Sequence, residues 1–204
     1  MNIAVLGLGR SGIAVAKSAK AAGNSVTVYD SASADNPKLS ERLAELEKLG
    51  IPFVGDFNGP FPKEVEQIVT SPSVDMRSKL LQEPHKRGVE VISEVEYAYR
   101  ISKAPIIAIT GTNGKSTTTV MTYLALLEAE QKAVLCGNIY GSGYEEVPLT
   151  EAAISATEDQ VLVAEISSFQ LEWVKDFRPI CAGITNISPD HINRYDSFEQ
   201  YANT

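Results

Sequence analysis

Basic runs, long apolar stretches and cysteine are all scarce in this chain, and each scarcity excludes something. Lysine and arginine number 18 against 26 acidic residues, for a formal charge of −8. With no basic run to release phosphate counterions, neither a nucleic-acid binder nor an anionic-membrane binder is expected. No apolar run approaches the roughly 20 residues needed to span a bilayer. The chain enters a strand-like run at once, Asn2–Gly7, with no basic segment or small-residue cleavage site, so no secretory leader is read there. Cysteine occurs only at Cys136 and Cys181. That is no disulfide scaffold and lacks metal-ligand spacing; each thiol lies in an apolar run that reads as strand, and both are expected to be buried. Together these features point to the cytoplasm.

What is present is an alternation of short apolar runs with longer amphipathic segments, the pattern of a parallel sheet covered by helices. In the first half strands are expected at Ile3–Leu6, Ser25–Tyr29, Pro52–Val54, Gln67–Thr70 and Val89–Ile92, with helices at Ser11–Ala22, Ser40–Leu49 and Ser78–Arg87. Gly23, Gly50 and Gly88 follow those helices as C-terminal caps. A helix over Glu94–Ile101 runs into Ser102-Lys-Ala-Pro105, where proline cannot continue it. A domain boundary is placed there, giving residues 1–101 and 102–204. The second half restarts the pattern with strand Ile106–Ile109, helix Lys115–Glu130, and strands Ala133–Cys136, Val161–Glu165 and Ile180–Ile184. Gly137–Pro148 reads as loop. Near the end Ser197 and Gln200 suggest a capping box opening a helix, and the chain is expected to be a fragment of a longer protein.

Four motifs carry chemistry. Thr110-Gly-Thr-Asn-Gly-Lys-Ser-Thr117 lies between a strand and a helix. Glycines 111 and 114 let backbone N–H groups turn toward a phosphate, and the helix adds the positive end of its dipole. Lys115 can reach the β- and γ-phosphates, and the Ser116 hydroxyl suits Mg²⁺. A standard P-loop has glycine where this chain has Ile109, so the loop is a shortened variant. Next, Val161–Glu165 is an apolar strand ending in an acid, a natural metal carboxylate beside a P-loop. Third, His191 follows another strand end, at the same sheet edge as Lys115 and Glu165, and imidazole can bind a metal or a substrate. The other histidine, His85, falls in a solvated helix and is given no role. Fourth, Gly7-Leu-Gly9-Arg-Ser-Gly12 follows the first strand, and Asp30 ends the second. That is the dinucleotide spacing, which admits a diphosphate at the turn and lets Asp30 bond a ribose or a base edge. A nicotinamide-dependent oxidoreductase would use this turn too, but it leaves the second phosphate loop without a purpose.

The combination resembles the Mur ligases, amide-forming enzymes of bacterial cell-wall precursor synthesis. Gly111–Thr117 is similar to their ATP loop, and Asn186-Ile-Ser-Pro-Asp-His191 with Arg194-Tyr195 is similar to their histidine motif. Glu165-Ile-Ser-Ser-Phe-Gln-Leu-Glu172 and the Gly7–Gly12 turn look most like the member that adds D-glutamate to UDP-N-acetylmuramoyl-L-alanine; a sister ligase taking another amino acid is the near alternative. The resemblance implies an α/β chain with a Rossmann-like UDP-substrate domain followed by a P-loop ATP-binding domain, truncated at its C-terminus. The family's third domain, which brings the amino acid, and its carbamylated lysine would lie past Thr204, so the chain alone is expected to fold without ligating. ATP and Mg²⁺ are implied as cofactors, with attack of the substrate carboxylate on the γ-phosphate giving an acyl phosphate that D-glutamate then resolves. Gly111, Thr112, Asn113, Gly114, Lys115, Ser116 and Thr117 would hold ATP. Ser116 and Glu165 would hold one Mg²⁺, with His191 serving the second metal or the substrate. Arg10, Ser11, Asp30, Ser31, Ser71 and Ser73 would line the UDP pocket, and Asn138 and Ser167 would meet the diphosphate or muramoyl portion. Ser73 stands where the family often has glycine, and Tyr140 precedes Gly141. A monomer is expected.

Overall fold

In the computed structural model, residues 1–191 and 193–204 are described. The first half builds a five-stranded parallel sheet from β1 (Asn2–Leu6), β2 (Ser25–Tyr29), β3 (Phe53–Val54), β4 (Gln67–Thr70) and β5 (Glu90–Ser93), in the order β3-β2-β1-β4-β5. Both faces are covered. Ile3 and Val5 of β1 pack into a core with Val15, Ala16 and Ala19 of α1 (Arg10–Ala21) and Leu46 of α2 (Ser40–Lys48). The alternate residues, Ala4 and Leu6, face Leu81 of α3 (Lys79–Lys86). This two-sided burial is why the strand reads as an unbroken apolar run. The three glycine caps all have positive φ, as expected.

The second half forms a four-stranded parallel sheet from β6 (Ile106–Thr110), β7 (Ala133–Gly137), β8 (Val161–Glu165) and β9 (Cys181–Ile184), in the order β7-β8-β6-β9. Helix α5 spans Lys115–Glu128, ending two residues before the expected Glu130, which itself has φ +58°. The sequence reading missed two helices, α6 (Leu149–Ser155) and α7 (Ser168–Leu171), both shorter than the 10 or so residues at which helical periodicity becomes readable. It also buried both thiols. Cys136 is buried, but Cys181 is exposed, because β9 is the last strand of its sheet and three of its four residues are exposed. At α8 (Phe198–Asn203) the expected cap is half right. Ser197 Oγ accepts from Gln200 N at 3.1 Å, but the Gln200 side chain accepts from Asp196 N at 2.6 Å, one residue earlier than a capping box requires.

The two sheets meet through α4 (Glu94–Ile101), which gives Tyr97 and Ile101 to the first core and Val95 and Ala98 to the second. Its first residue, Glu94, is fully buried and caps a helix from outside. Pro148 at the N-cap of α6 has no side-chain acceptor, and Glu94 Oε1 takes the Thr150 N–H at 2.6 Å instead. Glu94 Oε2 has no hydrogen-bond partner among the described residues, and burial pushes this carboxyl above its ordinary value of 4.5. The folded state therefore holds this proton more tightly than the unfolded chain does. Its contribution is full below pH 4.5 and is lost as pH rises toward the folded value. Glu94→Gln keeps an oxygen for Thr150 N and removes the proton. Urea melts of the variant and the parent should show the variant gaining stability relative to the parent from pH 5 upward. A stability difference that stays constant with pH would disprove the assignment.

Candidate active site

Both sheets place loops at a topological switch point, where adjacent strands send their chains in opposite directions and a crevice opens at the carboxyl ends. In the second sheet the crevice lies around β6, between β8 and β9, so the segments after those three strands converge. Those are the segments carrying the Thr110–Thr117 motif, Glu165 and the Thr185–His191 motif.

The phosphate loop is held from one side by the segment after β9. Thr112 N donates to Asn186 O at 2.9 Å and Asn113 N to Asn186 Oδ1 at 3.1 Å. Thr185 Oγ1 donates to Asn113 O at 2.6 Å. Gly111 has φ +130°, and a Cβ there would stand 2.2 Å from Thr185 Oγ1, so the approach of the two segments excludes any side chain. The first return bond of α5 runs from Thr118 N to Gly114 O at 3.0 Å. The amides of Lys115, Ser116 and Thr117 therefore stand ahead of the helical ladder, available to an anion. Lys115 Nζ folds onto Thr112 O at 2.9 Å, keeping its charge over the loop.

At the base of the loop Ser116 Oγ donates to Glu165 Oε2 at 2.6 Å, and Asn138 Nδ2 donates to Glu165 Oε1 at 3.2 Å. Three residues that were picked out separately thus share one contact network, with Glu165 buried at 1% exposure. A hydroxyl and a carboxylate side by side at a phosphate loop are the hard oxygen donors that Mg²⁺ takes, so this pair fits that ion. His191 is not part of the network. Its ring lies against Phe169 with centroids 4.6 Å apart, and its backbone has φ +52°. Among the described residues no bond joins it to Ser116 or Glu165, and no cluster of three or more His, Cys, Asp or Glu has metal-binding geometry.

The first sheet's candidate residues lie in and around its glycine turn. Asp30 Oδ2 accepts from Leu8 N at 2.6 Å, bracing the glycine turn, and Oδ1 accepts from Ala32 N at 2.8 Å in its own loop, so each oxygen has only its remaining lone pairs for a ligand. Ser71 and Ser73 hydroxyls lie 3.0 Å apart, while Ser31 is exposed. A cavity of about 230 Å³ joins the two halves, lined among others by Arg10, Ser11 and Ser71 from the first and Asn138, Glu146 and Gln170 from the second. Arg10 pairs with Glu146 across it at 3.0 Å. Gln170 was missed. Ser167, expected at the substrate, is the N-cap of α7, and its N–H donates to Gln170 Oε1 at 2.9 Å in a full capping box. The Ser167-Ser-Phe-Gln170 spacing is itself a capping-box pattern and could have revealed both the helix and its buried glutamine.

Residues 109–204 match the profile of the Mur ligase middle domain, and residues 1–93 match that of the Mur ligase MurD-like N-terminal domain. The chain belongs to the Mur ligase family. Similar curated Mur ligases include the UDP-N-acetylmuramoylalanine–D-glutamate ligase of Caldanaerobacter subterraneus, 44% identical over 99% of this chain and 43% of that protein. The enzyme of the same name from Streptococcus uberis is 40% identical over 98% of this chain and 43% of its own length. The chain therefore spans less than half the length of these relatives. Among solved structures, the UDP-N-acetylmuramate–alanine ligase of Thermotoga maritima superposes with a TM-score of 0.53 at 24% identity, over 100% of this chain and 45% of that one. The UDP-N-acetylmuramate:L-alanyl-γ-D-glutamyl-meso-diaminopimelate ligase of Neisseria meningitides gives 0.54 at 19%, over 99% and 65%. At such identities the two structures speak for the Mur ligase fold alone.

Proposed function

We propose that this chain carries the UDP-substrate and ATP sites of a ligase that joins D-glutamate to UDP-N-acetylmuramoyl-L-alanine. The observation that carries the reading is the Ser116–Glu165 pair beneath a cationic phosphate loop, linked through Asn138 to a cavity shared with the diphosphate-type turn of the first sheet. One phosphate site would serve ATP and the other the substrate's diphosphate. The names of the curated relatives support the choice of amino acid. We divide the chain at residues 101 and 102, where α4 ends and its Ser102 cap turns to extended backbone, and we place the protein, as a monomer, in the cytoplasm. No helix among the described residues is long and apolar enough to cross a membrane.

Bound MgATP would supply the γ-phosphoryl group that converts the substrate carboxylate into an acyl donor. Gly111–Thr117 would bind it, with Lys115 balancing charge on the phosphates. Ser116 and Glu165 would hold Mg²⁺, and His191 would face the substrate or a second metal. Arg10, Ser11, Asp30, Ser31, Ser71 and Ser73 would bind the UDP portion, and Asn138 would reach toward the diphosphate while orienting Glu165. Ser167 would act through Gln170.

Calorimetry on the 204-residue chain tests this. UDP-N-acetylmuramoyl-L-alanine and MgATP should each bind at one site, and saturating one should leave the other's sites open. NADH should give no heat. Tight NADH binding with no response to the UDP ligand would replace this reading with the oxidoreductase.

A further inference from the structure

Two arginines tie the halves together in a way the proposed chemistry leaves unused. Arg194, nearly buried, follows β9. Its Nε and NH2 donate to the two oxygens of Glu172 at 2.7 and 2.6 Å, and NH2 also donates to Val74 O, in the other half, at 2.8 Å. Arg77, after β4, reaches the opposite way. Its NH2 donates to Asn193 O at 3.1 Å and its NH1 to Asp196 at 2.9 Å, while Asp75 holds the rest of its fork. Each arginine thus grips a backbone carbonyl in the other's turn.

Those turns carry candidate site residues. Val74 N closes onto Ser71 O at 3.1 Å, so a grip on Val74 is a grip on the turn that carries Ser71 and Ser73. Arg194 N closes onto His191 O at 2.8 Å. The Arg194 guanidinium also lies 4.3 Å from the centre of the Phe169 ring, which in turn packs on the His191 imidazole. The rigid fork of a guanidinium suits this task, since it meets a carboxylate with two bonds and still has N–H to spare for a carbonyl.

We infer that Arg77 and Arg194 form a reciprocal clasp fixing the spacing between the Ser71–Ser73 turn and the His191 turn, which makes them positioning residues for a substrate long enough to touch both. The inference rests on the proposed substrate, UDP-N-acetylmuramoyl-L-alanine, whose diphosphate would lie at the first turn and whose carboxylate end would lie at the second. A short ligand that touches one turn does not sense the spacing. A long one does, because small misplacement of a bound group is costly.

The experiment compares UDP with UDP-N-acetylmuramoyl-L-alanine on the parent chain, Arg194→Lys and Arg77→Ala, with melting curves for each. Arg77 is exposed, so its removal leaves the cores intact even if the Arg194 variant proves unstable. Affinity for the long ligand should fall by about tenfold in Arg194→Lys and about threefold in Arg77→Ala, while UDP alone changes by less than twofold. Equal losses for both ligands would mean that the clasp is merely structural, and no loss for either in a folded Arg77→Ala would also overturn the inference. A parent chain that binds UDP but not the long ligand would instead bring down the proposed substrate, and the clasp's role with it.

Discussion

Lys115→Ala should lower the affinity of this chain for MgATP by about 30- to 100-fold and leave its affinity for UDP-N-acetylmuramoyl-L-alanine within twofold. Lys115 opens α5 and folds its ammonium back over the phosphate loop onto Thr112 O. A nucleotide's phosphates would exchange that neutral acceptor for a charged one, and hydrogen bonds to charged groups contribute about 1.5–3 kcal/mol each. Two to three kilocalories correspond to roughly the stated range. The side chain contributes little to the fold, because among the described residues its one hydrogen bond is to a carbonyl of its own loop. The melting temperature should therefore hold, and calorimetry can be read as binding alone. The UDP site is insulated because its candidate residues belong to the other sheet, apart from Asn138 and Gln170 on the cavity wall. An alanine variant that binds MgATP within threefold of the parent would show that another cation holds the phosphates.

Gly137→Ala should cost about 2–5 kcal/mol of stability. Gly137 ends β7 with φ +86°, a conformation that a residue with a Cβ adopts at a cost of about 1–2 kcal/mol. The added Cβ would also stand 2.1 Å from Glu165 O and 2.8 Å from Glu165 N. Those are backbone atoms of the neighbouring strand and cannot swing aside as a side chain would, so overpacking adds about 1–3 kcal/mol. The clash falls on Glu165, whose carboxylate holds Ser116 and Asn138. Whatever fraction folds should therefore also bind Mg²⁺-nucleotide more weakly than the parent. Chemical denaturation measures the first effect and a Mg²⁺ titration of nucleotide binding the second. A variant within about 1 kcal/mol of the parent would contradict the strand contact, since the left-handed backbone and the overpacking should each cost at least about that much.

The strands and longer helices were legible because their cause is local. Burial on both faces of a parallel sheet demands continuous apolar runs, and every expected strand appears within a residue or two of its place. The phosphate loop was legible for a related reason. Phosphate binding by backbone amides needs glycines at set spacings and a lysine next to them, and Gly111, Gly114 and Lys115 are contiguous enough to be seen together. The short helices α6 and α7 escaped because one or two turns carry too little periodicity. Cys181 was misjudged because an apolar run says strand, not whether a neighbour covers it.

Sequence alone, then, determined the alternation of elements, the two phosphate-binding turns, the acid and the histidine at strand ends, and the family resemblance. All of these depend on residues within about one strand–turn–helix unit of each other. Tertiary structure decided what those residues do to one another. It joined Ser116 to Glu165 across 49 positions and Asn138 to Glu165 across 27, and it left His191 against Phe169. It also spent both Asp30 oxygens on backbone amides and set Arg194 on Val74, 120 residues away. Such pairings follow from strand order and from which loops a switch point brings to one edge. No spacing along the chain encodes that order, because parallel strands pair across crossovers whose partners are chosen only when the sheet assembles.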